Sequence, residues 1–229
     1  MPEVKEQEMS GAVVIGAGPG IGQSVARRFA REGLPVALVA RTEATLDAAV
    51  RGVAASGVRV IPLVADSTDE IALRAALDTA TEGLGTPDVV VYNAAIIQPD
   101  APGELSVRAH LDAWAVNVVG ALTAAAHVAP AMVRRGSGSF LITGGMPEPD
   151  PRYVSLSLGK AGVRTLAALL DKEYGPGGVH VASVTVAGPV APGTAFDPDD
   201  IAECYWRLHS QPREEWEQEI LYGGRLTSR

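Results

Sequence analysis

Gly16, Gly18, Pro19, Gly20, Ile21 and Gly22 interrupt an apolar run, Val13-Val14-Ile15, just before a helical pattern begins. The stretch reads as strand, tight turn and helix N-terminus. Gly16 lets the chain turn sharply, Gly20 lets backbone come close to a ligand, and Gly22 lets the helix lie against the strand. The first free N–H groups of that helix make an anion site, which a dinucleotide pyrophosphate fits. A second group bears on the same ligand: the next strand ends Val39-Ala40-Arg41. An acid there would accept hydrogen bonds from a ribose 2′-hydroxyl and repel a 2′-phosphate. A guanidinium pairs with phosphate through charge-assisted bidentate bonds. The expected cofactor is therefore NADP(H) rather than NAD(H), with Arg41 on the 2′-phosphate; the alternative is a solvated first-turn arginine.

Other reactive residues form no constellation. His110, His127, His180 and His209 lie far apart without ligand spacing and read as surface or strand-end residues, so no metal is expected. The single Cys204 rules out an internal disulfide, suits a reducing cytoplasm and reads as buried filler. Trp206 and Trp216 read as packing for the last helix and strand, against the body or a neighbouring subunit.

The elements that must position these groups alternate. Strands are read at Pro35–Ala40, Val58–Val64, Asp88–Tyr92, Ser139–Thr143, Val179–Val186 and Glu219–Tyr222, each short and apolar. Helical patterns follow them at Gly20–Gly33, from Arg41-Thr42 onward, from a Ser67 or Thr68 cap to about Glu82, and at Glu104–Arg135, Val154–Tyr174 and Asp199–Ser210. Two Pro/Gly-rich loops, Gly144–Pro151 and Gly188–Pro198, lie at the carboxyl ends of strands. This is the pattern of a three-layer α/β Rossmann fold, a doubly wound parallel sheet of about seven strands. Residues 1–10 are a polar extension unlike a signal peptide, and residues 11–229 suffice for one domain. No apolar run approaches the roughly 20 residues of a membrane span. A formal net charge of -8 without a basic cluster argues against nucleic acid as a partner.

With these elements in place the chain resembles the short-chain dehydrogenase/reductase family over most of its length. Gly16-x-x-x-Gly20-Ile21-Gly22 matches that family's glycine motif, with Ile15 where a threonine is usual. Asp66, followed by Ser67, matches its adenine-contacting aspartate, and Asn93-Ala94-Ala95 is similar to its Asn-Ala-Gly strand end. Asn117 matches its active-site asparagine and Lys160 its active-site lysine, while Gly188-Pro189-Val190 through Thr194 resembles the loop over the nicotinamide. The resemblance implies an oxidoreductase acting on a small-molecule substrate and a homodimer or homotetramer. In it Lys160 holds the nicotinamide ribose, with Asn117 in support.

One position departs from the family. Its proton-transferring tyrosine stands four residues before the lysine, and here that place holds Leu156. The helper serine's place falls on Thr143, Gly144 or Gly145 depending on register, and only Thr143 has a hydroxyl. Tyr153 is the nearest phenol, about 10 Å before Lys160 along a regular helix, sharing its face without touching. If the helix starts at Ser155 or Leu156, Tyr153 bends into the site from the preceding loop; otherwise it covers apolar surface. The expected function is NADP(H)-dependent oxidoreduction of a carbonyl/alcohol pair, with Tyr153, Thr143 or a water handling the proton. The alternative is a non-redox protein of the same fold, an isomerase, a cyclase or a dinucleotide sensor.

Overall fold

The computed structural model describes residues 11–224, so the polar extension at residues 1–10 lies outside the described residues. Seven strands join one parallel sheet in the order β3-β2-β1-β4-β5-β6-β7. They are β1 (Ala12–Ile15), β2 (Val36–Ala40), β3 (Val60–Val64), β4 (Val89–Tyr92), β5 (Gly138–Gly145), β6 (Val179–Val186) and β7 (Glu219–Tyr222). β1, β2, β4 and β6 are buried along their whole length, because helices cover both faces of the sheet. β3 is an edge strand, and only there does the sheet carry a proline, Pro62. The order reverses between β1 and β4, whose last residues, Ile15 and Tyr92, are paired. In open sheets of this kind the crevice that binds ligands lies at such a reversal, above the carboxyl ends of the strands.

Helices α1 (Ile21–Arg31), α2 (Glu43–Val53) and α7 (Pro198–Ser210) form one layer, and α3 (Glu70–Leu84), α5 (Gly120–Arg135) and α6 (Val154–Tyr174) the other. Alternate strand residues feed the two cores: Val14, Leu38, Val91 and Leu141 face the first layer, and Val13, Val39, Val90 and Ile142 the second. Each such fully buried aliphatic side chain stabilises the fold by about 1.5–3 kcal/mol. Two boundaries differ from those read in the sequence. β5 runs on through Gly145, which shortens the loop after it. The cap of α3 is Asp69, accepting from the Ala72 N–H, rather than Ser67 or Thr68. Asp66 has already taken the Thr68 N–H and hydroxyl into an Asx turn, and Ser67 is buried.

The long helical pattern begins at α4 (Val107–Trp114), capped by Ser106, and passes through a π turn, Ala115–Val119, into α5. Val107–Arg135 is therefore long and apolar enough to cross a membrane by length and composition, contrary to the sequence expectation. Half of its most apolar window is buried. Ala113, Asn117, Ala121, Ala124, Ala125 and Val128 pack inward, as in the core helix of a globular layer. The C-terminal packing is aromatic: Trp206 sits edge-on to Phe29 of α1, and Trp216 stacks on His180 at 4.7 Å between ring centroids. His180 is thus a buried residue at the start of β6, a strand-end rather than a surface position.

Candidate functional site

The glycine turn is built as its residue types require. Gly16 (φ 86°) and Gly20 (φ 96°) both occupy the left-handed region, which side chains rarely adopt. A Cβ on Gly16 would lie 2.5 Å from the Ala94 nitrogen, and one on Gly22 only 2.1 Å from the Gly16 carbonyl oxygen. The turn is folded onto the residue after β4 and onto α1. Around a Cβ built on Gly20 nothing lies within 4 Å, so the first N–H groups of α1 face an open cradle. Pro19 is exposed, Gly18 and Ile21 are half-buried, and Ile21 opens the helix. Asn93 fastens the cradle from beneath, its amide N–H donating to the Gly16 carbonyl at 2.9 Å.

Arg41 and Asp66 stand on the crevice rim at the ends of β2 and β3, and both are exposed. The Thr68 backbone N–H, with the Thr68 hydroxyl and the Arg41 charge behind it, holds the Asp66 carboxyl below the usual carboxylate range. No carboxylate lies within ion-pair distance of the Arg41 guanidinium among the described residues. Ser67 is buried next to Asp66, and Ala94 and Ala95 are half-buried in the segment after β4.

Lys160 is 5% exposed, and its stem runs past Gly145 to place the ammonium 2.6 Å from the Thr143 carbonyl, to which it donates. Burial pushes its pKa down to about 8. No carboxylate is within ion-pair distance of it among the described residues, so a desolvated cation stands at the strand ends with one neutral partner and spare donors. Asn117 lies in the π turn, a device frequent at functional sites. Its side chain packs where a Cβ on Gly159 would stand, beside Lys160, and both its polar atoms bond the backbone of Ile96. The structure brings Lys160 and Asn117 together through Gly159.

Thr143 meets Lys160 only through its backbone carbonyl; its hydroxyl is turned away. Its hydroxyl donates to Asn93 at 2.8 Å and meets the Tyr205 hydroxyl at 2.7 Å, on the α7 side of the sheet. Of the two glycines that share the helper serine's possible place, Gly144 packs on Thr185 and Gly145 lies against the Lys160 stem. Alternation along β5 decides this, so no hydroxyl from that strand end faces Lys160. Leu156, one turn before Lys160, is buried. Tyr153 is the residue before α6 and adopts a non-helical conformation (φ -143°), so the helix begins neither at Ser155 nor at Leu156 but directly after it. The loop after β6 is pinned internally: Thr194 donates to the Ala191 carbonyl, and Asp197 accepts from the Gly193 N–H. Gly188 packs against Phe196, while Pro189 and Val190 are exposed.

Two residues of the site were missed in the sequence. Asp100, 1% exposed, takes the Ser155 N–H at 2.9 Å and its hydroxyl at 3.0 Å, so a carboxylate from a loop caps the helix that bears Lys160. Its charge sits at the positive end of the helix dipole, a placement that stabilises by up to about 2 kcal/mol when partly buried. The isolated pairing of Asp100 with Tyr153 fixes the approach to the helix. Arg164, one turn beyond Lys160, donates to the carbonyls of Gly145 and Met146 and closes the end of β5. Neither has a local signal, since their partners are 55 and 19 residues away in the chain. Among the described residues no three His, Cys, Asp or Glu side chains are gathered for a metal ion.

The chain and its fold are similar to known proteins. The family profile described as short chain dehydrogenase matches residues 10–197. The chain is 33% identical over 192 residues to cis-4-hydroxycyclohexanecarboxylate dehydrogenase of Sinomonas cyclohexanicum, covering 82% of this chain and 74% of that one. Among solved structures, a metagenomic short-chain oxidoreductase in complex with NADP aligns with a TM-score of 0.85 at 26% identity, over 96% of this chain and 99% of that one. An alcohol dehydrogenase from the archaeon Thermococcus sibiricus, complexed with 5-hydroxy-NADP, gives a TM-score of 0.83 at 26% identity over 91% and 94% of the two chains. A glycine turn at the β1/β4 crossover, a buried lysine on α6 and a matching profile across most of the sequence agree: the chain belongs to the short-chain dehydrogenase/reductase family of oxidoreductases.

Proposed function

We propose that the protein is an NADP(H)-dependent oxidoreductase acting on a carbonyl/alcohol pair of a small organic substrate, with an atypical proton donor. The observation that carries this reading is the pairing of an open glycine cradle with a buried, carboxylate-free ammonium on the same rim. The residues fit a dinucleotide: Gly18, Gly20 and the first turn of α1 suit the pyrophosphate, Asp66 and Ser67 the adenine side, Arg41 the 2′-phosphate, and Lys160 the nicotinamide ribose. Asn93, Ala94 and Ala95 line the floor, and Gly188 through Thr194 the cover. Bound there, the nicotinamide supplies hydride chemistry. The chain's own residues orient the ribose through Lys160, exclude water with the 188–197 loop, and move the proton by Tyr153 or a water that the Lys160 ammonium holds. The Thr143 hydroxyl is engaged on the α7 side of the sheet and α6 begins directly after Tyr153, so the choice between Tyr153 and a water rests on the Tyr153→Phe variant.

Arg41→Ala is expected to weaken NADPH binding about tenfold and to leave NADH nearly unchanged, since one charge-assisted contact contributes about 1.5–3 kcal/mol. Fluorescence titration with both nucleotides reads this, and equal losses for both remove Arg41 from the 2′-phosphate. Tyr153→Phe is expected to lower turnover of a carbonyl panel about a hundredfold with NADPH affinity kept, the scale of general acid catalysis. A Tyr153→Phe protein that turns over at the wild-type rate assigns the proton to water.

The buried Leu156 favours the second reading, a member that binds the dinucleotide without redox turnover. Tight NADPH binding with no oxidation of NADPH by ketones or quinones would decide for it. We also propose a homodimer or homotetramer. Trp114 packs over Gly162, and the apolar Leu111, Leu122, Leu158 and Leu169 stand exposed on the same layer of helices. Light scattering of the purified protein measures the order of that assembly.

A further inference from the structure

A line of side chains crosses the sheet from helix α7 to the glycine turn. The Gly16 carbonyl can only accept, so the group of Asn93 that faces it at 2.9 Å is the amide nitrogen, and the Asn93 oxygen must face Thr143. That oxygen accepts the Thr143 hydroxyl proton at 2.8 Å. Having donated there, Thr143 can only accept from Tyr205, 2.7 Å away. The whole order is fixed by one carbonyl at its end. Tyr205 is fully buried, and burial raises its pKa above the phenol range, so it remains a donor at any working pH.

Helix α7 is the element that follows the 188–197 loop, and it is seated on α1 by Arg27–Asp199 at 2.6 Å and Arg28–Glu203 at 2.7 Å. The line therefore joins the helix behind one side of the crevice to the turn on the other. We propose that Tyr205 and Thr143 are positioning residues: through Asn93 they set the direction of the Gly16 carbonyl, and with it the shape of the turn that receives the dinucleotide. The inference rests on the reading of that turn as a nucleotide site only for its effect on affinity; the coupling of α7 to the turn stands on the hydrogen bonds themselves. Thr143 has no contact with the ligand in this account, and its hydroxyl matters because a valine would leave both the Asn93 oxygen and the Tyr205 hydroxyl unpaired in a buried place.

Amide hydrogen exchange of the nucleotide-free protein tests it first. In Thr143→Val, exchange over residues 16–22 is expected to rise about tenfold, while a fold-only effect would raise exchange throughout or near residue 143 alone. Thr143→Ser, which restores the hydroxyl, is expected to return the turn to wild-type exchange. Tyr205→Phe keeps the ring in its seat, removes only the donor, and serves if Thr143→Val does not fold. In titrations, NADPH affinity is expected to fall about tenfold in Thr143→Val and to remain within about twofold in Thr143→Ser. Unchanged exchange at residues 16–22 in Tyr205→Phe and in a folded Thr143→Val overturns the proposal. Raised exchange there in a protein whose wild type binds no NADPH upholds the line and overturns the nucleotide reading instead.

Discussion

Lys160→Met, free of nucleotide at pH 7, is expected to melt above the wild type while losing nucleotide affinity. The wild-type ammonium is buried against one neutral carbonyl, which repays little of its lost hydration. In the unfolded chain lysine keeps its proton up to about 10.5, whereas in the fold burial brings that down to about 8. Between those values the unfolded state binds more protons, so wild-type stability rises with pH across that window. Below about 8 both states are charged and the full penalty of burial stands. A displacement of this size corresponds to roughly 3 kcal/mol. The lost bond to Thr143 offsets about 1 kcal/mol of the gain. The remaining ~2 kcal/mol shifts the melting temperature of a chain this long upward by roughly 4–8 °C. Thermal melts at pH 7 and pH 10.5 check both parts, because the advantage of Lys160→Met should shrink at the higher pH. A variant that melts below the wild type at pH 7 refutes the argument, and one that binds NADPH as the wild type does refutes the role given to Lys160. A cation kept at a net loss of stability is kept for what it does.

Gly22→Ala is expected to damage both stability and nucleotide binding. The new Cβ would stand 2.1 Å from the Gly16 oxygen and 3.0 Å from the Asn93 amide, the two ends of the bond that holds the turn. Backbone cannot swing aside as a lysine tip can, so α1 must move off β1 by about 1 Å. Overpacking of this kind costs about 3 kcal/mol, and NADPH affinity should fall about a hundredfold. Gly20→Ala is the comparison: it meets no atom within 4 Å, and only its positive φ counts against it, at about 1–3 kcal/mol. Urea denaturation and NADPH titration of the pair measure the difference. Equal midpoints for both variants would show that α1 yields freely.

What the sequence made legible was local. The glycine turn, the strands and the helices that follow them are written in apolar runs and turn residues within windows of about ten positions, and the sheet confirmed their type and order. The boundary of α3 escaped because Asp66 and Asp69 compete for neighbouring N–H groups, and which wins depends on where Asp66 must stand at the end of β3. Thr143 escaped for a different reason. Its hydroxyl faces α7 because it alternates with Ile142, and a strand's parity is invisible until its pairing is known. Asp100 and Tyr205 carried no signal, since each finds its partner across more than fifty residues. Lys160 was found by its motif, but its lack of a counter-ion is a property of three dimensions.

The placement of β1 between β2 and β4 has a consequence for the chain as it is made. Asn93, which closes the turn at Gly16, is synthesised 77 residues after it. At about 5–20 residues per second that is roughly 4–15 s on the ribosome. From the emergence of β2 until that of β4, β1, wholly apolar, has a partner on one side and an open row of backbone donors and acceptors on the other. The strand that anchors the finished site is the nascent chain's most adhesive edge, and the arrival of β4 both quenches that edge and completes the cradle.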